Sequence, residues 1–148
     1  MIIPKYHRNG VELSNDPQDE FEIYIVDDDP AFSFMLKDYI LSAMEMESKH
    51  FTNGTEFLKK YKANDSRKII LDYEFSEGPN GLLVLQKIKE LNPTAVVIVV
   101  SGQDDLEKAI DTLRNGATDY FLKTNKTVFA NIQCSLKKII AMERNKWN

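Results

Sequence analysis

The chain of 148 residues contains a single cysteine, Cys134, so no disulfide can form within it. That fits a reducing compartment and excludes a disulfide-stapled secreted scaffold. The expected role of Cys134 is small-residue packing on a helix, since a free cysteine usually behaves as a small buried hydrophobe. No excess of positive charge is present: the net charge is −4 and the pI near 5.2, so there is no basic field to attract nucleic acid. No apolar run approaches the ~18 residues of a membrane span. The start, Met1-Ile2-Ile3-Pro4-Lys5, is too short in apolar residues for a signal peptide, which leaves the cytoplasm as the expected location. There is no glycine-rich phosphate loop, so nucleotide binding is not indicated. Internal repeats and low-complexity segments are absent. What remains, 43% hydrophobic and 28% charged residues, suits one globular domain with a proper core.

Residues 1–20 are polar, are broken by Pro4, Gly10 and Pro17, and read as a loose arm outside the domain. His7 in this arm is a solvated histidine on this reading, having no second ligand near in sequence. Residues 21–146 then alternate strand and helix. The apolar run Ile23-Tyr24-Ile25-Val26 reads as a buried strand and stops at Asp27, Asp28 and Asp29. Pro30 marks the first position of a helix, with Asp29 as its N-cap. Phe32, Leu36, Tyr39, Ile40 and Ala43 fall on the inward face of that helix, whereas Phe34 and Leu41 fall on the polar side and are candidates for docking a partner. A weak strand covers Met46 to Phe51, and Asn53-Gly54-Thr55 opens a helix through Tyr61.

The second half repeats the pattern. Arg67 to Asp72 is an apolar strand ending in an acid, followed by a loop with Gly78, Pro79, Asn80 and Gly81. A helix from Leu82 to Leu91 has its period marked by Leu82, Leu85, Ile88 and Lys89. Ala95 to Val100, the most apolar run, ends in Ser101-Gly102. Asp104 or Asp105 caps a helix carrying Leu106, Ala109, Ile110 and Leu113, stopped by Asn115-Gly116. Thr118 to Leu122 is a strand ending in Lys123-Thr124, and a last helix runs from about Thr127 to Arg144, with Val128, Ile132, Leu136 and Ile139 inward. Strict alternation implies a parallel sheet with helices on both faces and right-handed crossovers. Strands that are apolar throughout support burial on both sides.

In such a sheet the carboxyl ends of the strands open onto one edge, where ligands bind. That edge collects Asp27, Asp28 and Asp29, then Asp72, Ser101 and Lys123; the second strand adds no ionisable residue at a clear edge position. Several carboxylates with a backbone carbonyl and water make a hard oxygen site suited to Mg²⁺. A carboxylate facing such an ion can act as a nucleophile toward a phosphoryl group. Phosphoryl transfer needs positioning and charge neutralisation. The cation, Lys123, and the Ser101 hydroxyl with nearby backbone N–H groups could each meet one phosphoryl oxygen.

From about Glu22 to Met142 the chain resembles the receiver domain of two-component response regulators. Val26-Asp27-Asp28-Asp29-Pro30 is similar to the family's acidic-pair motif, and Ile69-Ile70-Leu71-Asp72 to its phosphoacceptor strand, at the usual interval of 72 − 28 = 44. Val99-Val100-Ser101-Gly102 resembles the switch-hydroxyl motif, and Asn115 to Lys123 the final strand and lysine. The resemblance implies a flavodoxin-like, doubly wound five-stranded parallel sheet of order 2-1-3-4-5 flanked by five helices. It implies Asp72 as phosphoacceptor, Asp28 binding Mg²⁺ directly, Asp27 mainly through water, and the Glu74 backbone carbonyl as a further ligand. It also implies that Ser101 swings toward the phosphoryl group, that Tyr120 rotates inward with it, and that Lys123 pairs with a phosphoryl oxygen. Gly102 beside Ser101 leaves the acceptor open to attack.

The expected protein is a stand-alone receiver with no effector domain. It takes phosphate from a sensor histidine kinase or phosphotransfer protein, catalyses at most its own phosphorylation and dephosphorylation, and signals to an unknown downstream protein. Output is expected through the face formed by the fourth helix, fifth strand and fifth helix, without nucleic acid or membrane as partner. Two positions depart from the family pattern. Ser76 stands where proline is usual, with Gly81 one residue late, and Lys123-Thr124 replaces Lys-Pro, for which a cis bond would cost about 3 kcal/mol. The rival readings are a receiver-like interaction module that works without phosphorylation, and a small haloacid-dehalogenase-type phosphatase in which Asp27 would be the nucleophile.

Overall fold

A computed structural model of the chain describes residues 20–146. The N-terminal arm, with His7, and Trp147 lie outside the described residues. Five strands, β1 (Ile23–Val26), β2 (Ser48–Phe51), β3 (Lys68–Asp72), β4 (Val97–Ser101) and β5 (Asp119–Leu122), alternate with five helices. These are α1 (Pro30–Met44), α2 (Gly54–Lys60), α3 (Gly81–Leu91), α4 (Leu106–Arg114) and α5 (Val128–Asn145). The sheet is parallel throughout, in the order β2-β1-β3-β4-β5.

Side chains that alternate along each strand feed two apolar layers. Tyr24, Val26, Ile69, Leu71, Val97 and Val99 face Phe57 of α2 and Val84, Leu85 and Ile88 of α3. Ile23, Ile25, Ile70, Ile98 and Val100 face Leu36 and Ile40 of α1 and Val128, Ile132, Leu136 and Ile139 of α5. The chain order reverses between β1 and β3, and the ends of those two strands form the crevice in which a doubly wound sheet places its ligands.

Local chemistry sets the helix starts. Asp29 caps α1 by accepting from Ala31 and Phe32 N–H, with Pro30 at the first helical position. Asn53, Asn80 and Asp105 cap α2, α3 and α4 in the same way. Of the two acids offered for α4, Asp105 is therefore the cap. Thr127 precedes α5 but makes no side-chain cap.

Three sequence expectations are corrected. Cys134 is exposed, because it lies between Ile132 and Leu136, on the side of α5 opposite those two buried residues. Ala43 is exposed in the last turn of α1, where it lines an open groove between α1 and α5. In α4 the apolar residues turn outward: Leu106 is 74% exposed, and Ile110 and Leu113 are also exposed. The buried position of that helix is Thr112, whose hydroxyl donates to the Lys108 carbonyl at 2.6 Å. Phe34, at 74% exposure, and Leu41 are exposed on α1 as expected.

Gly81 is where the backbone comes closest to the sheet edge. Its N–H donates to Tyr73 O at 2.8 Å, and a Cβ there would collide with Asp72 O and lie 2.6 Å from Tyr73 Cα. Gly102, by contrast, has nothing within 4 Å of the space a Cβ would take. Gly81→Ala is therefore expected to lower unfolding free energy in urea by about 1–3 kcal/mol, the usual cost of overpacking. Gly102→Ala should change it by no more than about 0.5 kcal/mol.

Candidate functional site

The carboxyl ends of β1, β3, β4 and β5 bring together Asp27, Asp28, Asp72, Ser101 and Lys123. One carboxylate oxygen from each of Asp27, Asp28 and Asp72 lies within 4.8 Å of the other two. Asp27 and Asp72 are buried, and Asp28 is half-buried. Asp29, third in the acidic run, is exposed and spent on the α1 cap.

Lys123 reaches across from the end of β5. Its ammonium lies 2.7 Å from Asp27 Oδ2 and 3.4 Å from Asp72 Oδ2, and sits over the Phe32 ring at 4.5 Å from the centroid. Burial opposes its charge, but the Asp27 and Asp72 carboxylates outweigh burial and raise its pKa above the ordinary lysine value. Its N–H is set by Ser101 O, at 2.8 Å. The chain has no cis peptide bond among the described residues, so Lys123-Thr124 is trans.

The acids differ in their surroundings. Asp27 Oδ1 accepts from Asp29 N–H at 2.8 Å, whereas buried Oδ2 meets the Lys123 ammonium at 2.7 Å. Asp72 is pushed up to about 7, first by burial and then by the Asp27 charge; Lys123 and the Glu74 N–H oppose the shift. Asp28 is held below the usual carboxylate range, above all by the Ser76 N–H. Both the N–H and the hydroxyl of Ser76 donate to Asp28 Oδ2 at 2.9 Å. A proline at that position could offer neither.

This donor set fits a hard divalent cation. Three carboxylates converge, and burial together with the neighbouring Asp27 charge raises the Asp72 carboxyl well above the usual carboxylate range. A cation would relieve that crowding.

Two partners were not foreseen from the sequence. His50, the penultimate residue of β2, places Nε2 2.7 Å from Asp27 O, so the strand that appeared to contribute nothing braces the β1 terminus. Glu74, expected only through its carbonyl, turns its side chain to β4: Ser101 Oγ donates to Oε1, and Gly102 N–H donates to Oε2 at 3.2 Å. Neither contact had a signal in local pattern, because each joins strands far apart in the chain. Ser76 did have one, in the proline it replaces. Tyr120 packs against the α2–α3 side of the core, with its hydroxyl buried beside Ser101.

The fold and its acidic edge are those of a receiver module of two-component signalling, and the comparisons agree. Residues 23–130 match the family described as the response regulator receiver domain. The chain belongs to the response regulator receiver family. It is 32% identical over 101 residues to the chemotaxis protein CheY of Thermotoga maritima, covering 68% of this chain and 83% of that protein. It is 28% identical over 123 residues to the transcriptional regulatory protein ZraR of Escherichia coli, covering 83% of this chain. The chain spans only about a quarter, 27%, of ZraR's length. Among solved structures, a CheY-like receiver domain protein from Methanospirillum hungatei superposes with a TM-score of 0.72 at 25% identity, covering 84% of this chain and 96% of that one. Receiver domains bind Mg²⁺ at an acidic cluster, the place taken here by Asp27, Asp28 and Asp72. No helix among the described residues is long and apolar enough to cross a membrane.

The state of Asp72 has a measurable signature. A carboxyl whose pKa is higher folded than unfolded favours folding only while protonated. Its contribution is complete below the unfolded value near 4 and is lost as pH rises through about 7. In buffer with EDTA, Asp72→Asn is expected to raise the melting temperature by several degrees at pH 8 and to change it little at pH 4. A shift of equal size at both pH values would show that the crowded charge carries no such cost.

Proposed function

We propose that this protein takes a phosphoryl group onto the Asp72 carboxylate from a phosphohistidine of a sensor kinase or phosphotransfer protein, in the presence of Mg²⁺, and passes the signal on through protein contacts. The observation that carries this reading is the placement of Lys123: its ammonium stands 2.7 Å from Asp27 and 3.4 Å from Asp72, beside three converging carboxylates. Asp27, Asp28 and Asp72 with the Glu74 backbone carbonyl would hold the cation. When bound, Mg²⁺ supplies charge neutralisation for a phosphoryl oxygen.

The remaining chemistry belongs to the chain. An Asp72 carboxylate oxygen attacks phosphorus, the donor's N–P bond breaks, and the electron pair stays on the imidazole nitrogen, which takes a proton. Asp72 must be ionised to attack, and the adjacent Lys123 ammonium favours that form. Lys123 then meets one oxygen of the new acyl phosphate. The Ser101 hydroxyl and the Gly102 N–H are the donors available to another. Gly102 leaves the approach open, with nothing near its missing Cβ.

For readout, the apolar residues that α4 turns outward, Leu106, Ile110 and Leu113, offer a contact surface next to β5. Phe34 and Leu41 on α1, joined by Met35 at 57% exposure, are the candidate surface for the phosphodonor. Tyr120, with its hydroxyl buried beside Ser101, is the side chain through which movement of the Ser101 hydroxyl would reach β5.

Acetyl phosphate with Mg²⁺, followed by mass analysis of peptides, tests the assignment. Asp72 is expected to carry the label, and Asp72→Asn or EDTA to abolish it. Label at Asp27 instead would favour a phosphatase-like nucleophile. Partner binding unchanged in Asp72→Asn, with and without phosphodonor, would favour an interaction module. A second measurement concerns Ser76. Because it orients Asp28, Ser76→Ala is expected to raise the Mg²⁺ concentration for half-maximal labelling by about tenfold, the lower end of the usual effect of losing a hydrogen bond to a metal ligand.

A further inference from the structure

We propose that the Glu74 carboxylate is an internal competitor for the phosphoryl group: it occupies the Ser101 hydroxyl and the Gly102 N–H until a phosphoryl group on Asp72 displaces it toward Lys108. This rests on the phosphoacceptor reading above and assigns Glu74 a role distinct from its backbone carbonyl.

The contact is two-pronged. One carboxylate oxygen accepts from Ser101 Oγ and the other from Gly102 N–H at 3.2 Å, bridging the loop after β3 to the end of β4. These are the two donors available to a phosphoryl oxygen on Asp72. A carboxylate resembles that oxygen in charge and in accepting hydrogen bonds. The Ser101 hydroxyl carries one proton and sits on a residue with no solvent exposure, so it cannot serve both anions. Ser101 Oγ is further tied by accepting from Gln103 N–H at 3.1 Å.

The displaced side chain has a destination. Lys108, in the first turn of α4, lies 4.0 Å from Glu74 Oε1, and each side chain keeps between a quarter and a third of its surface exposed, at 28% and 30%. At present Lys108 donates to Gln103 Oε1 at 2.6 Å and lies over the Tyr73 ring at 5.1 Å from the centroid. Moving Glu74 off Ser101 and onto Lys108 exchanges that partner for a carboxylate. The exchange occurs on the helix whose apolar residues face outward, so occupancy of Asp72 would be felt at α4 through one side chain.

The bland account is that Glu74 staples the loop and nothing more. The two accounts part on variants of Glu74 and Ser101, labelled with acetyl phosphate and Mg²⁺ and followed by intact mass. Glu74→Ala is expected to speed Asp72 labelling by about tenfold, equivalent to ~1.4 kcal/mol. Glu74→Gln should give an intermediate gain, because a neutral amide still accepts from Ser101 but more weakly. In a Ser101→Ala background, the gain from removing Glu74 should shrink to less than about twofold, since the contested donor is gone. In amide spectra without phosphodonor, Gly102 should shift in Glu74→Ala toward its position in labelled wild type.

Labelling of both Glu74 variants at or below the wild-type rate would overturn the proposal. So would an undiminished gain in the Ser101→Ala background, which would mean simple charge repulsion. If Glu74→Ala melts early, Glu74→Gln decides. Wild-type protein that takes no label on Asp72 would instead defeat the phosphoacceptor reading itself.

Discussion

The structure depends on a crowd of negative charge at the ends of two buried strands. Carboxylates on β1 and β3 converge at the crevice of the sheet, two of them out of solvent, and the Lys123 ammonium touches both buried acids. Burying like charges is costly, and the cost shows in Asp72, held toward its neutral form first by burial and then by Asp27. The Lys123 ammonium offsets part of this cost, and packing holds the strand ends in place. Both faces of the sheet are covered by packed apolar layers, and the backbone at the crevice is fixed by His50 from β2 and by the Gly81 contact to Tyr73. An arrangement of this kind leaves a demand for positive charge, which a divalent cation would meet.

The loop between β3 and α3 mediates between that charge and the remainder of the fold. It is gripped at three points. Ser76 ties it to Asp28, Glu74 ties it to the end of β4, and Gly81 presses it against the sheet. Each grip engages a group at the acidic edge: the Asp28 carboxylate, the Ser101 hydroxyl with the Gly102 N–H, and the backbone of Asp72 and Tyr73.

The surfaces divide by the company each helix keeps. The inward stripe of α5 buries Val128, Ile132, Leu136 and Ile139, with Ser135 donating to Asp119 on β5, and that helix is firmly seated. Helix α4 buries only Thr112 and presents Leu106, Ile110 and Leu113 outward, so less apolar burial holds it in place. A helix held by few buried contacts is the easier one to shift. Lys108 sits at its first turn, within reach of Glu74.

The strand order was implied by the family resemblance; the chain's own pattern determined the alternation of strand and helix, the caps at Asp29 and Asn53, the parallel sheet, and the edge at which the acids collect. These follow from local rules: apolar runs of strand length, oxygen-bearing caps, and a crossover of fixed hand. The positions of Asp27, Asp28, Asp72, Ser101 and Lys123 were legible for the same reason, since each stands at a strand end. Only tertiary structure decided what those ends do to one another. Which way α4 faces depends on how much sheet lies beneath it, and Cys134 faces out because its neighbours Ile132 and Leu136 claim the core. The Glu74 carboxylate meets Ser101 only because β3 and β4 are adjacent, and the Ser76 grip on Asp28 exists only because the loop folds back over β1. The acidic run that stops the first strand is the feature most visible in the sequence. Three dimensions divide its labour, leaving two acids facing the Asp72 carboxylate and one to start a helix.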